Sequence, residues 1–169
     1  EAGTGCYAAY LTPQGRMIAD LWVYELGDTI LLTLDRAVKD EVLQKLDQYV
    51  FAEDVQVRDL SDTFTSLAIV GPEAARVVAG VIDEVAERDL AALPEHGSVR
   101  ATAGAVPVVI LRVTDTGEPG YELVAEAAYR GSLETAIAAQ GAAAIGPEVA
   151  EALRIEAGIP RFMLDMDHE

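Results

Sequence analysis

Basic residues are scarce in this chain, with 12 Lys and Arg against 29 Asp and Glu and a formal net charge of -17 over 169 residues. That balance repels phosphate backbones and anionic lipid surfaces, so neither nucleic acid nor a membrane is expected as a direct partner. Cysteine is nearly missing. Cys6 alone excludes an internal disulfide and any thiolate-only zinc or iron-sulfur site made from this chain, and it is compatible with a reducing compartment. Cys6 itself reads as a small apolar residue near a strand start. The two histidines, His96 and His168, have no paired metal-ligand spacing, and no metal site is expected. His96, in the polar run Pro94-Glu95-His96-Gly97, reads as solvated. Long apolar runs are absent too, and Glu1-Ala2-Gly3-Thr4-Gly5 has neither the basic region nor the apolar core of a signal peptide, so the expected location is cytoplasmic. No glycine-rich phosphate loop follows a strand, and no serine nucleophile elbow occurs.

What is present is a hydrophobic share of 51%, enough for a well-buried core in one domain or two small lobes. Tyr7 to Leu11, Arg16 to Leu26 and Thr29 to Leu34 read as three strands of an antiparallel meander, joined by Thr12-Pro13-Gln14-Gly15 and by the hairpin signal Gly27-Asp28. If Leu26 pairs with Thr29, the register carries Asp20 close to Asp35, which also reads as an N-cap. An amphipathic helix is expected from Arg36 to about Tyr49. A second set follows: strands near Val55 to Asp59, Thr65 to Val70, Val99 to Ala103, Val106 to Val113 and Tyr121 to Ala125, with helices from Pro72 through Ile82, Tyr129 to Gln140 and Pro147 to Ala157. The expected class is α+β, antiparallel sheets with covering helices. The expected division is a β-meander plus helix lobe over 1–52 and a second α+β lobe over 53–169.

Two carboxylates stand out chemically. Asp20 sits mid-strand, with Ile18, Trp22, Tyr24 and Leu26 on its own face and Met17, Ala19, Leu21 and Val23 on the other. A carboxylate among apolar side chains must find donors, rise in pKa or bind something, and nearby backbone N–H groups are the plain alternative. Glu122 ends the turn Asp115-Thr116-Gly117-Glu118-Pro119-Gly120-Tyr121-Glu122, where it faces either a cleft or solvent on an edge strand. Arg154, one helical turn from Glu151, reads as one half of a surface ion pair.

In order along the chain, Thr12-Pro-Gln-Gly-Arg-Met-Ile-Ala-Asp-Leu21, Tyr49-Val-Phe-Ala-Glu-Asp-Val55, Ile69-Val-Gly-Pro72, Thr116-Gly-Glu-Pro-Gly-Tyr-Glu122 and Leu153-Arg-Ile-Glu-Ala-Gly-Ile-Pro160 resemble successive motifs of the folate-binding family of the glycine-cleavage T-protein, the aminomethyltransferase. Tyr49-Val-Phe and Arg154-Ile-Glu-Ala-Gly-Ile-Pro-Arg161 are most similar to the YgfZ-type branch. The resemblance implies a T-protein/YgfZ-like fold lacking the family's N-terminal segment and C-terminal barrel domain. It implies tetrahydrofolate, or a one-carbon derivative, as cofactor, with Asp20 as the catalytic aspartate and a folate contact, Glu122 as the pterin-binding glutamate, and Tyr121 beside it in the same site. The function implied is tetrahydrofolate binding in iron-sulfur protein maintenance or tRNA modification, with iron-sulfur proteins as possible partners. The alternatives are a folate-dependent aminomethyltransferase and a structural domain of a larger amine oxidase. Two family positions differ: Ala150 stands where the T-protein enzymes have a folate-contacting arginine, and Asp115 where they have a tyrosine.

Overall fold

The computed structural model describes residues 1–51 and 54–166. β1 (Gly5–Leu11), β2 (Met17–Glu25) and β3 (Ile30–Leu34) form a three-stranded antiparallel sheet in that order, so β2 has a neighbour on both edges. The first turn closes through Thr12 N–H to Arg16 O at 2.8 Å and Gly15 N–H to Thr12 O at 2.9 Å. The second closes through Leu26 N–H to Thr29 O at 2.9 Å, the pairing expected of Gly27-Asp28. α1 (Lys39–Asp47) brings Val42 into a small core with Ile18, Ala19, Val38 and Phe162.

The second sheet, in the order β4 (Phe64–Val70), β7 (Gly120–Glu126), β6 (Val106–Val113), β5 (Ser98–Ala103), is antiparallel throughout. Strand alternation sends Leu67, Ile69, Ala101, Val108, Ile110, Tyr121, Leu123 and Ala125 to one face. Against that face pack α2 (Ala74–Ala79) through Val77 and Val78, α3 (Glu87–Ala91) through Leu90, and α4 (Arg130–Ala139) through Leu133. Full burial of Val78, Leu90, Ile110 and Leu123 is worth about 1.5–3 kcal/mol each before chain entropy is counted. The opposite face carries Ser66, Ala68, Glu122, Leu111 and Ser98, and it has no helix of that core on it.

The two sheets are tied together at the start of the chain. Gly3 donates to Glu25 O at 2.8 Å and accepts from Ser98 N–H at 2.9 Å, so one residue bridges the end of β2 to the start of β5. Gly5 lies so close to this junction that a Cβ there would come within 2.6 Å of His96 O and 2.7 Å of Val23 O. Beyond α5 (Pro147–Glu156), the chain returns to the first sheet, burying Phe162 and pairing Arg161 Nη2 with Asp35 Oδ2 at 2.9 Å. Arg154 is more than half of a surface pair. Its guanidinium, largely shielded, binds both Glu151 oxygens, Asp165 Oδ2 at 2.7 Å and the carbonyl of Ile159, which staples the returning turn to α5.

Several elements depart from the sequence expectation. Val55 to Asp59 is not a strand, because no neighbouring strand takes its ladder bonds; Asp59 instead accepts from Lys39 Nζ at 2.5 Å and Ser61 N–H at 2.9 Å. α1 starts at Lys39 rather than Arg36, since the Asp35 carboxylate folds onto Ala37 N–H at 2.9 Å and leaves Val38 as the N-cap. α2 stops at Ala79 rather than Ile82, with Gly80 as its C-cap. Cys6, the second residue of β1, is exposed. His168 and the lobe boundary expected at 52/53 lie outside the described residues.

Candidate functional site

β2 positions the first carboxylate. Asp20 is opposite Ala9 on β1 and is only 7% exposed, in keeping with a strand apolar on both faces. Its donor is a side chain: Tyr7 Oη donates to Asp20 Oδ2 at 2.9 Å. Tyr7 is directly opposite Trp22, and the two rings meet at 5.3 Å and 50°, so the cross-strand pair steers the phenol diagonally onto Asp20. Desolvation, then the hydrogen bond and negative charge of Asp20, push the Tyr7 phenol up to about 12.

Four residues on, and on the same face, Tyr24 is 1% exposed. Its phenol is pushed far above the ordinary range, first by burial and then by the negative charges of Glu122 and Asp115. Tyr24 therefore carries the Asp20 face across to the second sheet. There Glu122 lies in a row with Leu111 and Ser98 on one side and Ala68 on the other. Its carboxyl is raised by desolvation, then by the nearby Asp115, and is partly held down by a hydrogen bond from Ser66. Asp115 is likewise raised by burial, with the His96 side chain opposing that shift and Glu95 adding to it.

Asp20 lies on the face of β2 that carries Tyr24, and Glu122 lies on the second sheet within electrostatic reach of Tyr24. Tyr121 does not join them. As the strand neighbour of Glu122 it projects to the opposite face, where its ring is buried in the helix-covered core and capped by the Arg112 guanidinium at 5.0 Å. Sequence reasoning missed Tyr7, Tyr24 and His96. Counting the first hairpin's register from its turn would place Tyr7 opposite Leu21, on the other face; a bulge between Tyr10 and Leu11 shifts the ladder by one residue and brings Tyr7 opposite Trp22, one diagonal step from Asp20. His96 is not solvated: its side chain is 20% exposed, its backbone has a φ of 58°, and its Nδ1 is buried without a partner. Two more buried side-chain atoms lack partners in the adjoining segments, Ser98 Oγ and Thr116 Oγ1. The half-buried Glu122 carboxylate, on the same sheet face as the unpartnered Ser98 Oγ, is an acceptor available to ligand N–H donors. Among the described residues no group of three His, Cys, Asp or Glu side chains is arranged to hold a metal ion, and no helix is long and apolar enough to cross a membrane.

Fold and site together define a two-sheet α+β protein with a shielded carboxylate on each sheet. The GCVT N-terminal domain model matches residues 1–169. This chain belongs to that family, the one that includes the glycine-cleavage T-proteins. It is 32% identical over 170 residues to an aminomethyltransferase of Xanthomonas oryzae pv. oryzae, covering 98% of this chain and 45% of the relative. With an aminomethyltransferase of Streptomyces coelicolor the identity is 30% over 167 residues, 96% of this chain and 44% of that one. The fold matches the crystal structure of glycine cleavage system aminomethyltransferase T from Bartonella henselae with a TM-score of 0.82 at 21% identity, over 100% of this chain and 45% of that one. The chain therefore spans somewhat under half the length of the relatives it matches.

Proposed function

We propose that this chain is the folate-holding part of an aminomethyltransferase, with Glu122 as the pterin acceptor and Asp20 as the catalytic carboxylate. The observation that supports this reading is one desolvated carboxylate on each sheet, Asp20 buried on the β2 face that carries Tyr24 and Glu122 within electrostatic reach of the Tyr24 phenol. A carboxylate in a poorly hydrated pocket accepts two parallel N–H groups of an aminopyrimidine edge, and that is the task assigned to Glu122. Tetrahydrofolate supplies the nitrogens that take up the one-carbon unit. Asp20, held by Tyr7, is assigned to orienting the reacting centre and stabilising positive charge that develops there. An amine donor or its carrier protein is the partner this chemistry needs, and a cytoplasmic location goes with it.

A second reading, tetrahydrofolate binding in iron-sulfur protein maintenance or tRNA modification, rests on Tyr49-Val-Phe and the Arg154–Arg161 run. Tyr49 and Phe51 are 68% and 85% exposed, as residues that meet another surface would be. It ranks second because the relatives that span nearly the whole chain carry the aminomethyltransferase name.

The test is calorimetric titration of 5-formyltetrahydrofolate into the longest natural form of the chain. Saturable binding lost in Glu122→Ala supports the folate site. In Asp20→Asn, folate-dependent turnover should fall by roughly 10²–10⁴. Turnover unchanged in Asp20→Asn would remove its catalytic role, and binding without any turnover would favour the second reading.

A further inference from the structure

A cavity of about 590 Å³ opens between the turn of residues 12–16 and the returning turn 161–166, and none of its lining residues belongs to the second sheet. Its volume falls within the range of small-molecule sites, roughly 300–1,000 Å³. Leu11, Met17, Met163, Leu164 and Met166 supply its apolar wall, so all three methionines of the chain meet at one place. Both rims are fixed by hydrogen bonds. On the first, Thr12 pairs with Arg16 through their backbones, and Arg16 N–H also donates to Thr12 Oγ1 at 3.1 Å. On the other, Asp165 N–H donates to Arg161 O at 2.9 Å and Met163 N–H to Met166 O at 2.8 Å, which holds Met163 at a left-handed φ of 69° that is unfavourable for a methionine.

Two charged residues complete the lining, and they are not equivalent. Asp165 is committed elsewhere, because its Oδ2 accepts from Arg154 Nη1 at 2.7 Å and from Arg161 N–H at 2.9 Å. Arg16 is not: among the described residues its guanidinium has no hydrogen-bond or ion-pair partner, whereas every other Lys and Arg side chain has one. In a chain with 29 acids and 12 bases, the one uncommitted cation therefore stands at an apolar cavity. A guanidinium binds a carboxylate through two parallel N–H donors, and polarisable thioethers pack well against aromatic rings. We propose that this cavity is a binding site for small aromatic carboxylates, with Arg16 holding the carboxylate and the three methionines receiving the ring. The inference is independent of the folate reading of Glu122.

The probes are 2-naphthoate and its neutral isostere 2-naphthamide. Both are titrated into the longest natural form of the chain labelled with ¹³C at the methionine methyl groups, whose NMR signals are assigned by the single substitutions Met17→Leu, Met163→Leu and Met166→Leu. 2-Naphthoate should shift all three signals along one saturation curve. Arg16→Gln should weaken 2-naphthoate roughly three- to tenfold, as expected for a charged hydrogen bond that water partly reaches, and 2-naphthamide by less than about twofold. Arg16→Lys, which keeps the charge, should recover part of the loss. Melting curves confirm that each variant is folded. Absence of saturable shifts in the folded parent overturns the proposal, as do shifts confined to the exposed Met163, which would mean a surface contact only. Equal affinities of parent and Arg16→Gln for 2-naphthoate overturn the role of Arg16. Loss of 2-naphthoate in Glu122→Ala would place the anion at the other site and overturn the proposal too.

Discussion

Tyr7→Phe removes one hydroxyl and nothing else, and that hydroxyl is a donor to the buried Asp20 carboxylate. A hydrogen bond to a charged group contributes about 1.5–3 kcal/mol when well shielded. Tyr7 is 46% exposed, so water competes for the same carboxylate oxygen, and the lower end, about 1–1.5 kcal/mol, is the expected loss. For a chain of 169 residues that corresponds to a fall in Tm of roughly 2–6 °C. The assay is thermal unfolding at pH 7 of four proteins: the parent, Tyr7→Phe, Asp20→Asn and the double variant. The Tyr7 and Trp22 rings still pack in Tyr7→Phe, so the cycle isolates the hydroxyl–carboxylate pair. A coupling energy near 1 kcal/mol is expected. Strictly additive single variants would refute the argument, because they would mean that Asp20 is satisfied without Tyr7.

Glu122 and Asp115 both have folded-state pKa values raised first by burial, so their favourable contribution is complete below the unfolded carboxylate range and is lost as pH rises through the raised folded values. Glu122→Gln should therefore melt higher than the parent at pH 7–8 and converge with it toward pH 4, and parallel Tm–pH curves would contradict this. At the alkaline end, Tyr7 and Tyr24 are raised, chiefly by burial, so they favour the folded state below pH 10 and cease to do so as pH climbs through their folded values. A melting temperature that falls above pH 10, and falls less in Tyr7→Phe, is the expected result. Gly117 has a φ of 75°, and a Cβ there would come within 2.8 Å of the Ala157 Cβ. Gly117→Ala should cost at least about 1–2 kcal/mol from the left-handed backbone alone, measured by urea titration, and should weaken 5-formyltetrahydrofolate through the displaced turn.

The first lobe was the more legible part of the sequence. The β2–β3 pairing follows from the Gly27-Asp28 turn, whereas the bulge between Tyr10 and Leu11 shifts the β1–β2 register by one residue in a way the turn does not announce; a strand apolar on both faces has one physical outcome, which is burial of Asp20. The strand expected at Val55 to Asp59 fails because alternation describes a residue's two faces but not the neighbour that must accept the ladder bonds. Glu122 and Tyr121 expose the same limit at the site. A motif that ends in Gly-Tyr-Glu presents both as one unit, yet the two-residue period of a strand separates them, sending the phenol into the core and the carboxylate to the opposite face.

What sequence could not supply is the relation between the sheets. Asp115, His96 and Tyr24 are separated along the chain, and their segments are brought together by long-range contacts such as the Gly3 bridge from Glu25 to Ser98, the Arg100–Asp28 ion pair and the Thr114–Glu95 hydrogen bond. Local rules read His96 as a solvated loop residue because its neighbours Pro94, Glu95 and Gly97 are polar or turn-forming. Burial arrives instead from the start of β1, where Gly5 meets the His96 carbonyl. Gly5→Ala tests that dependence directly. The added methyl has two carbonyl oxygens, His96 O and Val23 O, within 2.7 Å of its position, so the sheets must part at the seam. If the seam is where Glu122 works, the substitution should weaken 5-formyltetrahydrofolate as well as lower the Tm, although Gly5 touches neither carboxylate. A variant that melts lower but binds the folate unchanged would place the site on the second sheet alone and detach Tyr24 from it.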